Sequence, residues 1–200
     1  MRVIAGTYRS RKLRTLRGLA LRPSSDRLRE TLFNILGPEI EDAVFVDLFA
    51  GSGAVGIEAL SRGARRAIFA EKHRAAATLL RANLESLGIP LAGPRDDVNK
   101  SFGGTAEIFA QDACAVIEQL AVRGTKADFV FADPPYADSD AYSDVLDLLG
   151  ESEMLVPGSR LILEHERRRE LPAIAGQLER VRVLEQGTAA LSFYHVARAA

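Results

Sequence analysis

The chain has 200 residues, of which 47% are hydrophobic and 26% are charged, and its formal net charge at pH 7 is −1. This length and composition predict one compact domain with a single core. No apolar run approaches the roughly 20 residues of a membrane-spanning helix, and the basic N-terminus lacks the apolar stretch of a secretory signal, so we expect a cytoplasmic protein. The single cysteine, Cys114, excludes an internal disulfide, and three scattered histidines predict no metal site.

The charge is distributed unevenly along the chain. Residues 1–40 carry nine Arg or Lys against three acids, a net charge of +6, so the rest of the chain sums to −7. This asymmetry indicates a local anion-binding face, although charge alone fits equally well with a solvated arm that aids solubility. We therefore divide the chain into a basic extension, residues 1–40, and a main domain, residues 41–200.

The basic extension begins with two partly alternating stretches, residues 2–5 and 11–16, which surround Gly6 to Ser10. This arrangement predicts a β-hairpin. A helix should follow it, because Ser25 or Asp26 can cap a helix and apolar residues then recur at helical spacing until Gly37-Pro38.

From residue 43 onward, short apolar strands alternate with amphipathic helices, which is typical of a doubly wound parallel sheet. The predicted strands are residues 44–49, 67–70, 106–110, 129–132, 161–163, 181–184 and 190–196, and the predicted helices are residues 54–62, 74–87, 113–122 and 140–149. The last two strands are close enough for a hairpin. We therefore predict a Rossmann-like α/β fold whose seven-stranded sheet is mostly parallel with one antiparallel edge strand. Residues 90–105, rich in Gly, Pro and Asp, predict a surface loop.

A glycine-rich run, Asp47-Leu-Phe-Ala-Gly51-Ser-Gly53, follows the first strand and opens a helix, as a nucleotide-binding loop requires. Glu71, twenty residues after Gly51, could hold a ribose in a dinucleotide enzyme or in a methyltransferase, so these features leave both classes open. Asp47 favours the second class. A hydride-transfer enzyme needs no charge before the glycines, whereas methyltransferases that use S-adenosylmethionine typically place an acid there, facing the methionine end of the cofactor.

A second acid, Asp112, follows the third predicted strand. It matches the acid that contacts the adenine amino group in such methyltransferases, and its neighbour Ala113 would supply a backbone amide. Asp112 could equally be an ordinary helix N-cap, because Asp is favoured at that position. The two roles can coexist in one side chain.

The tetrapeptide Asp133-Pro-Pro-Tyr136 follows an apolar strand, at the edge where open α/β sheets bind ligands. An exocyclic base amine is a poor nucleophile, because its lone pair is delocalised into the ring. The Asp133 carboxylate and the Pro134 carbonyl can accept its N–H groups and favour the pyramidal nitrogen. Pro135 helps to restrict the turn, and Tyr136 would stack on the base. The alternative interpretation is a rigid turn without a chemical role.

Taken together, these motifs resemble the RsmD-type methyltransferases, which modify the guanine N2 amine in bacterial small-subunit (16S) ribosomal RNA. The matching segments are Ile4-Ala-Gly6, Arg11-Lys-Leu13, Asp47 to Gly53, Glu58-Ala-Leu-Ser-Arg-Gly63, Glu71 and Asp133 to Tyr136. The most specific match is Leu21-Arg-Pro-Ser-Ser-Asp-Arg-Leu-Arg-Glu-Thr-Leu-Phe-Asn34. The resemblance implies a class I methyltransferase fold and S-adenosylmethionine as cofactor.

The resemblance also implies roles for individual residues. The cofactor would be bound by Asp47, Phe49, Gly51, Ser52, Gly53, Glu71, Lys72, Asp112 and Ala113, and the target amine by Asp133, Pro134, Pro135 and Tyr136. The RNA would be bound by Arg9, Arg11, Lys12, Arg14, Arg22 and Arg27. Lys72 departs from the apolar residue that usually covers adenine, but its aliphatic stem could still do so. We expect a monomer that acts on ribosomal RNA or its assembly particle.

Two other functions remain open at this stage. One is methylation of adenine or cytosine amines in DNA, since those enzymes use similar tetrapeptides, although this chain is short for a separate recognition domain. The other is a catalytically silent RNA-binding or assembly factor that keeps the fold. The acids at Asp47, Glu71 and Asp133 argue against the silent factor.

Overall fold

A computed structural model describes residues 1–15, 26–92 and 104–197. Its α-helices are α1 (Asp26–Leu36), α2 (Ala54–Ser61), α3 (Arg74–Leu87), α4 (Ala113–Val122) and α5 (Ser139–Glu151), and a short 3-10 helix covers Gly37–Ile40. Its strands are β1 (Val44–Asp47), β2 (Arg66–Ala70), β3 (Thr105–Phe109), β4 (Phe129–Ala132), β5 (Arg160–Glu166), β6 (Ile174–Ala175), β7 (Leu178–Gln186) and β8 (Ala189–Val196). None of the helices in these ranges is long and apolar enough to cross a membrane.

The strands form one sheet in the order β3-β2-β1-β4-β5-β8-β7-β6. Neighbours among β1 to β5 pair in parallel, whereas β8 is antiparallel to both β5 and β7, and β6 is antiparallel to β7. The Rossmann-like α/β architecture is therefore confirmed. The predicted seven strands with one antiparallel edge strand are wrong, because the sheet has eight strands and β8 lies inside it.

The missed strand, β6, is too short to give a periodic pattern. Its two residues pair with Glu179 and Leu178 of β7, across a turn at Gly176. Gly176 has a φ of +55°, and a Cβ at this position would lie 2.4 Å from the carbonyl oxygen of Gly150 at the end of α5. The turn thus depends on close backbone packing against a distant helix, which the local sequence does not reveal.

The predicted N-terminal β-hairpin is also wrong. Within residues 1–15, the structure contains one isolated antiparallel bridge, Arg2 to Lys12, and no strand. The backbone amides of Ile4 and Ala5 donate instead to the carboxylate of Glu58 on α2, at 2.8 and 3.0 Å. Because those donors are used by a side chain, they cannot continue a strand ladder.

Both faces of the parallel part of the sheet are covered, as expected for parallel strands. In β1, Phe45 packs with the helices α1, α2 and α3, whereas Val44 and Val46 pack with α4 and α5 on the opposite face. This alternation follows from the pleat, which turns successive side chains to opposite faces. The helices α3 and α4 begin and end as predicted, since each has a clear apolar face.

The carboxyl ends of β1, β2, β3 and β4 meet at one edge, because these strands are parallel. The strand order reverses at β1, which lies between β2 and β4. Open α/β sheets bind ligands at such a reversal. The predicted loop at residues 90–105 lies largely outside the described residues, which omit residues 93–103.

Candidate active site

A cavity of about 210 Å³ lies at this edge of the sheet. Its wall contains ten of the thirteen residues that the sequence assigns to the cofactor or the target amine. These ten are Asp47, Phe49, Gly51, Ser52, Glu71, Lys72, Asp112, Ala113, Asp133 and Pro135. The other three, Gly53, Pro134 and Tyr136, belong to the same two turns but not to the cavity wall. The glycine-rich run and the tetrapeptide therefore share one cavity.

The glycine-rich turn has a backbone that side chains rarely allow. Gly51 has a φ of +53°, and Gly53, the N-cap of α2, has a φ of +81°. A Cβ at Gly53 would lie 2.1 Å from Cδ1 of Leu80, so α3 packs directly against the turn. The left-handed conformation at position 53 favours glycine, and a larger residue there would also displace the Leu80 side chain.

The carboxylate of Glu71 links the glycine turn to the end of β2. Its Oε2 accepts a hydrogen bond from the Gly51 amide at 2.8 Å, and its Oε1 accepts one from the His73 amide at 2.7 Å. Glu71 is buried, yet it lines the cavity. Each carboxylate oxygen can accept more than one hydrogen bond, so Glu71 keeps capacity for a ligand with hydroxyl groups.

Asp47 is a buried acid at the floor of the cavity, with only 1% of its surface exposed. Its Oδ2 accepts a hydrogen bond from the Gly56 amide at 3.1 Å. Burial raises the pKa of Asp47 to about 7, with the nearby Glu71 adding to the increase, while the amides of Gly56 and Phe49 lower it. A cation in the cavity would favour the charged form of Asp47.

Asp112 is the N-cap of α4, because its Oδ1 accepts a hydrogen bond from the Cys114 amide at 3.0 Å. Its other oxygen, Oδ2, lies 3.9 Å from the ammonium nitrogen of Lys72. About half of each side chain is exposed, so this ion pair adds little stability. The cap role is thus observed, and both side chains also reach the cavity wall.

The tetrapeptide follows β4 directly, and three of its backbone carbonyls accept hydrogen bonds. The Tyr142 hydroxyl donates to the Pro134 carbonyl at 3.1 Å, and the Asp138 amide donates to the Pro135 carbonyl at 2.8 Å. The Tyr136 carbonyl accepts from Nη2 of Arg169 at 2.7 Å. The turn is therefore held in place along its length.

Arg29 is a cavity residue that the sequence motifs do not predict. Its side chain is buried, and Nη2 donates to the Arg2 carbonyl at 2.6 Å and to Oδ1 of Asp26 at 3.1 Å. Among the residues that the structure describes, Nη1 and Nε have no hydrogen-bond partner, although Nε lies 3.8 Å from Oε2 of Glu58. A signal was present in the sequence, since Arg29 falls on the apolar face of α1, where a charge is unusual.

The predicted RNA-binding residues Arg9, Arg11, Lys12, Arg14 and Arg27 are all exposed, and Arg22 lies outside the described residues. Nη2 of Arg11 donates to the Ser86 carbonyl at 2.7 Å. Next to Arg14 in the chain, Thr15 lines the cavity, so this part of the basic extension reaches the cavity wall.

Asn83 on α3 joins this segment to the glycine turn. Its Oδ1 accepts from the Arg14 amide at 2.9 Å, and its Nδ2 donates to the carbonyls of Arg14 and Ser52 at 3.1 and 2.9 Å.

Across residues 1–15, 26–92 and 104–197, no cluster of three or more His, Cys, Asp or Glu could hold a metal ion.

Comparisons with known proteins agree with these features. The family described as "Conserved hypothetical protein 95" matches residues 1–195. "Putative rRNA methyltransferase YlbH" of Bacillus subtilis is 34% identical over 97% of this chain and 98% of its own length. "Ribosomal RNA small subunit methyltransferase D" of Escherichia coli is 36% identical over 87% of this chain and 79% of its own length.

A solved structure, that of yhhF from Escherichia coli, has the same fold. Its TM-score is 0.81 at 32% sequence identity, and the match covers 100% of this chain and 99% of that one. Sequence and fold thus match together over nearly the whole chain. The chain belongs to the Conserved hypothetical protein 95 family, the family of YlbH and ribosomal RNA small subunit methyltransferase D.

Proposed function

We propose that this chain transfers a methyl group from S-adenosylmethionine to the exocyclic N2 amine of a guanine in small-subunit ribosomal RNA. One observation carries the proposal: the acid-lined glycine turn and the Asp133 to Tyr136 turn share a single cavity. A methyl donor and a target amine bound there would be neighbours. The names of the relatives, which are rRNA methyltransferases, support the choice of substrate.

The residues of the cavity fit S-adenosylmethionine from end to end. Glu71 would accept hydrogen bonds from the ribose hydroxyls, and Asp112 with the Ala113 amide would contact the adenine. At the other end, Asp47 would face the methionine ammonium, and Nη1 of Arg29, which has no hydrogen-bond partner among the described residues, would donate to the methionine carboxylate. The bound cofactor supplies an electrophilic methyl group on a sulfonium.

The tetrapeptide would bind and orient the amine. The Asp133 carboxylate and the Pro134 carbonyl would accept its two N–H groups, which favours a pyramidal nitrogen with its lone pair aimed at the methyl group. Tyr136 would stack on the guanine. After transfer the nitrogen is cationic and acidic, so its proton can pass to Asp133 or to water, and no base of special pKa is needed.

The basic extension would bind the RNA backbone. Arg9, Arg11, Lys12, Arg14 and Arg27 are exposed cations, and phosphate contacts by such residues dominate nucleic-acid affinity. We assign Arg22 the same role from the sequence alone. An RNA substrate of this kind also agrees with the cytoplasmic location that the composition predicts.

A transfer assay tests the proposal. The protein is incubated with tritiated S-adenosylmethionine and, separately, undermethylated small subunits, free rRNA, DNA and protein, and labelled RNA is digested to nucleosides for mass spectrometry. We expect label in small subunits or rRNA, as N2-methylguanosine. Label only in DNA or protein would contradict the proposal, and cofactor binding without any transfer would favour a silent assembly factor.

A further inference from the structure

Two side chains from outside the tetrapeptide hold its backbone. Tyr142 of α5 is 1% exposed, and its hydroxyl donates to the Pro134 carbonyl at 3.1 Å. Arg169, which follows β5, donates from Nη2 to the Tyr136 carbonyl at 2.7 Å and from Nη1 to Oγ of Ser139 at 3.2 Å. The carbon atom Cζ of its guanidinium lies 4.3 Å from the centre of the Tyr142 ring. Tyr142 and Arg169 therefore contact each other as well as the turn, and we call this pair the brace.

We propose that Tyr142 and Arg169 are positioning residues for methyl transfer, which fix the Pro134 and Tyr136 backbone so that the target amine is aligned before it reacts. This inference rests on the proposed function, because it concerns the same turn. Neither residue lines the cavity wall within the described part of the chain. Their effect would therefore pass through the turn rather than through contact with the substrate.

The contact at Pro134 restricts how an amine can bind. A carbonyl oxygen has two lone pairs, and the Tyr142 hydroxyl occupies one of them. One direction is then left for an N–H of the target, so the second N–H is directed to the Asp133 carboxylate. Proline removes the backbone donor at position 134 and limits its φ, which keeps the peptide from turning away. Acceptors held in this way need no reorganisation during the reaction.

The hydroxyl of Tyr142 stays a hydrogen-bond donor at neutral pH. Burial raises the pKa of Tyr142, and the negative charge of Asp133 raises it further, although Arg169 acts in the opposite direction. The phenol therefore keeps its proton at neutral pH. The contact with Arg169 adds a cation–π interaction, which stabilises the ring in its place against the turn.

The contact at Tyr136 would govern the ring that stacks on the base. Arg169 holds the Tyr136 carbonyl and Ser139 together, so the chain between the tetrapeptide and α5 is tied to the segment after β5. Losing this tie would let the Tyr136 backbone move. A displacement of about 1 Å at a reacting group can cost about 100-fold in rate.

The chain contains a matched control for each member of the brace. The Tyr194 hydroxyl donates to the Pro172 carbonyl at 2.8 Å, and Tyr194 is fully buried like Tyr142. It repeats the tyrosine-to-proline hydrogen bond away from the tetrapeptide. Arg168 is an exposed neighbour of Arg169. Tyr194→Phe and Arg168→Gln therefore remove the same chemical groups and leave both side chains of the brace in place.

The test compares Tyr142→Phe and Arg169→Gln with these two controls. For each variant, three properties are measured: kcat and KM for RNA, the affinity for S-adenosylhomocysteine by calorimetry, and the melting temperature. We expect kcat to fall about 10- to 100-fold in both brace variants, with unchanged S-adenosylhomocysteine affinity. Arg169→Lys should recover part of the rate, since it can still donate but lacks the planar fork. Tyr194→Phe should lower the melting temperature as much as Tyr142→Phe does and keep the kcat of the wild type.

The outcomes separate the inference from the function on which it rests. A wild-type protein that binds cofactor but methylates no RNA would overturn the proposed function and the brace with it. An active wild type with an unchanged kcat in Tyr142→Phe and Arg169→Gln would overturn the brace alone. An equal loss of kcat in Tyr142→Phe and Tyr194→Phe would also overturn it, because the loss would then follow stability. Arg169 lies in a connecting segment, so its variants remain informative if Tyr142→Phe folds poorly.

Discussion

The two sides of the cavity are held in place by different means. On the side of the glycine turn, which we call the donor side, carboxylates accept hydrogen bonds from backbone amides: Glu71 accepts from Gly51 and Asp47 accepts from Gly56. On the target side, the backbone of the tetrapeptide is held by side chains, one of which, Arg169, is 33 residues beyond Tyr136. The donor side is thus held mainly by carboxylates that accept from backbone amides, with one donor from the distant Asn83, whereas the target side is held by side-chain donors from outside the tetrapeptide. Variants on the two sides should therefore separate cofactor affinity from turnover.

The largest expected effect is on the target side. Asp133→Ala removes a carboxylate that would accept an amine N–H, and we expect kcat to fall about 100- to 1,000-fold, the usual cost of losing one such hydrogen-bonding group. S-adenosylhomocysteine affinity, measured by calorimetry, should be unchanged. Asp133→Asn, which keeps one acceptor oxygen, serves as the control and should retain more activity. Turnover like that of the wild type in Asp133→Ala would remove Asp133 from the mechanism.

The next effect is a pH dependence on the donor side. Asp47 has a raised pKa of about 7 without ligand, and the methionine ammonium would favour its charged form. S-adenosylhomocysteine should therefore bind the ionised protein better, and its affinity should rise by up to about tenfold per pH unit between pH 5 and 7 before it levels off. Asp47→Asn should flatten this profile in calorimetric titrations. A slope that persists in Asp47→Asn would assign the proton to another group.

The raised pKa of Asp47 should also make the stability of the cofactor-free protein depend on pH. The pKa of Asp47 rises from 3.8 to about 7 on folding, so the folded state holds this proton more tightly. The contribution of this tightly held proton to the free energy of unfolding is fully present below pH 4 and is lost as the pH rises to about 7. Asp47→Asn should therefore gain stability over the wild type when the pH is raised from 4 to 8, by up to about 4 kcal/mol in the free energy of unfolding. Chemical denaturation measures the difference in the free energy of unfolding between Asp47→Asn and the wild type. The same difference at pH 4 and at pH 8 would contradict this prediction.

Much of the donor side can be predicted from the sequence, because the glycine-rich run and its acids lie in short motifs. The sequence alone identifies the Asp47 to Gly53 run, the apolar strand before it and the spacing to Glu71. Arg29 was missed although it lies in the specific segment Leu21 to Asn34. The motif alone does not say which of its charges is buried, since that depends on how α1 packs.

The errors in the fold have a common physical cause. At the N-terminus, residues 2–5 alternate like a strand, but the Glu58 carboxylate takes the amides of Ile4 and Ala5. At the other end, β6 forms because Gly176 packs against Gly150. Both results depend on contacts between residues far apart in the chain, as the brace also does, whereas the helix bounds depend on local periodicity.

A smaller effect should come from Arg29, at the methionine end of the donor side. Arg29→Met keeps an unbranched apolar stem and removes the donors, so S-adenosylhomocysteine should bind about tenfold more weakly, the loss typical of one charged hydrogen bond. Methylthioadenosine lacks the amino-acid carboxylate and serves as the matched probe, with unchanged affinity. Equal weakening of both ligands would mean that Arg29 only supports the fold around the cavity.

The smallest effect concerns neither side of the cavity but the basic extension. Replacing Arg11, Lys12 and Arg14 with Gln should weaken RNA binding and lower the slope of log affinity against log salt by about 2 to 3 units, because each phosphate contact contributes about 0.7 to 0.9. Filter binding over a salt series measures this slope. Arg167→Gln with Arg168→Gln, outside the extension, provides a charge control. An unaltered slope would leave these residues as a solvated arm.

The proposed methyl transfer depends on one arrangement, in which the methyl donor and the target turn would meet in the cavity at the ends of β1 and β4. A crystal structure of the protein with S-adenosylhomocysteine tests it most directly. We predict the ribose hydroxyls at the Glu71 carboxylate and the sulfur facing Asp133. A ligand bound outside this cavity, or one whose sulfur is separated from Asp133 by protein, would contradict the proposed arrangement.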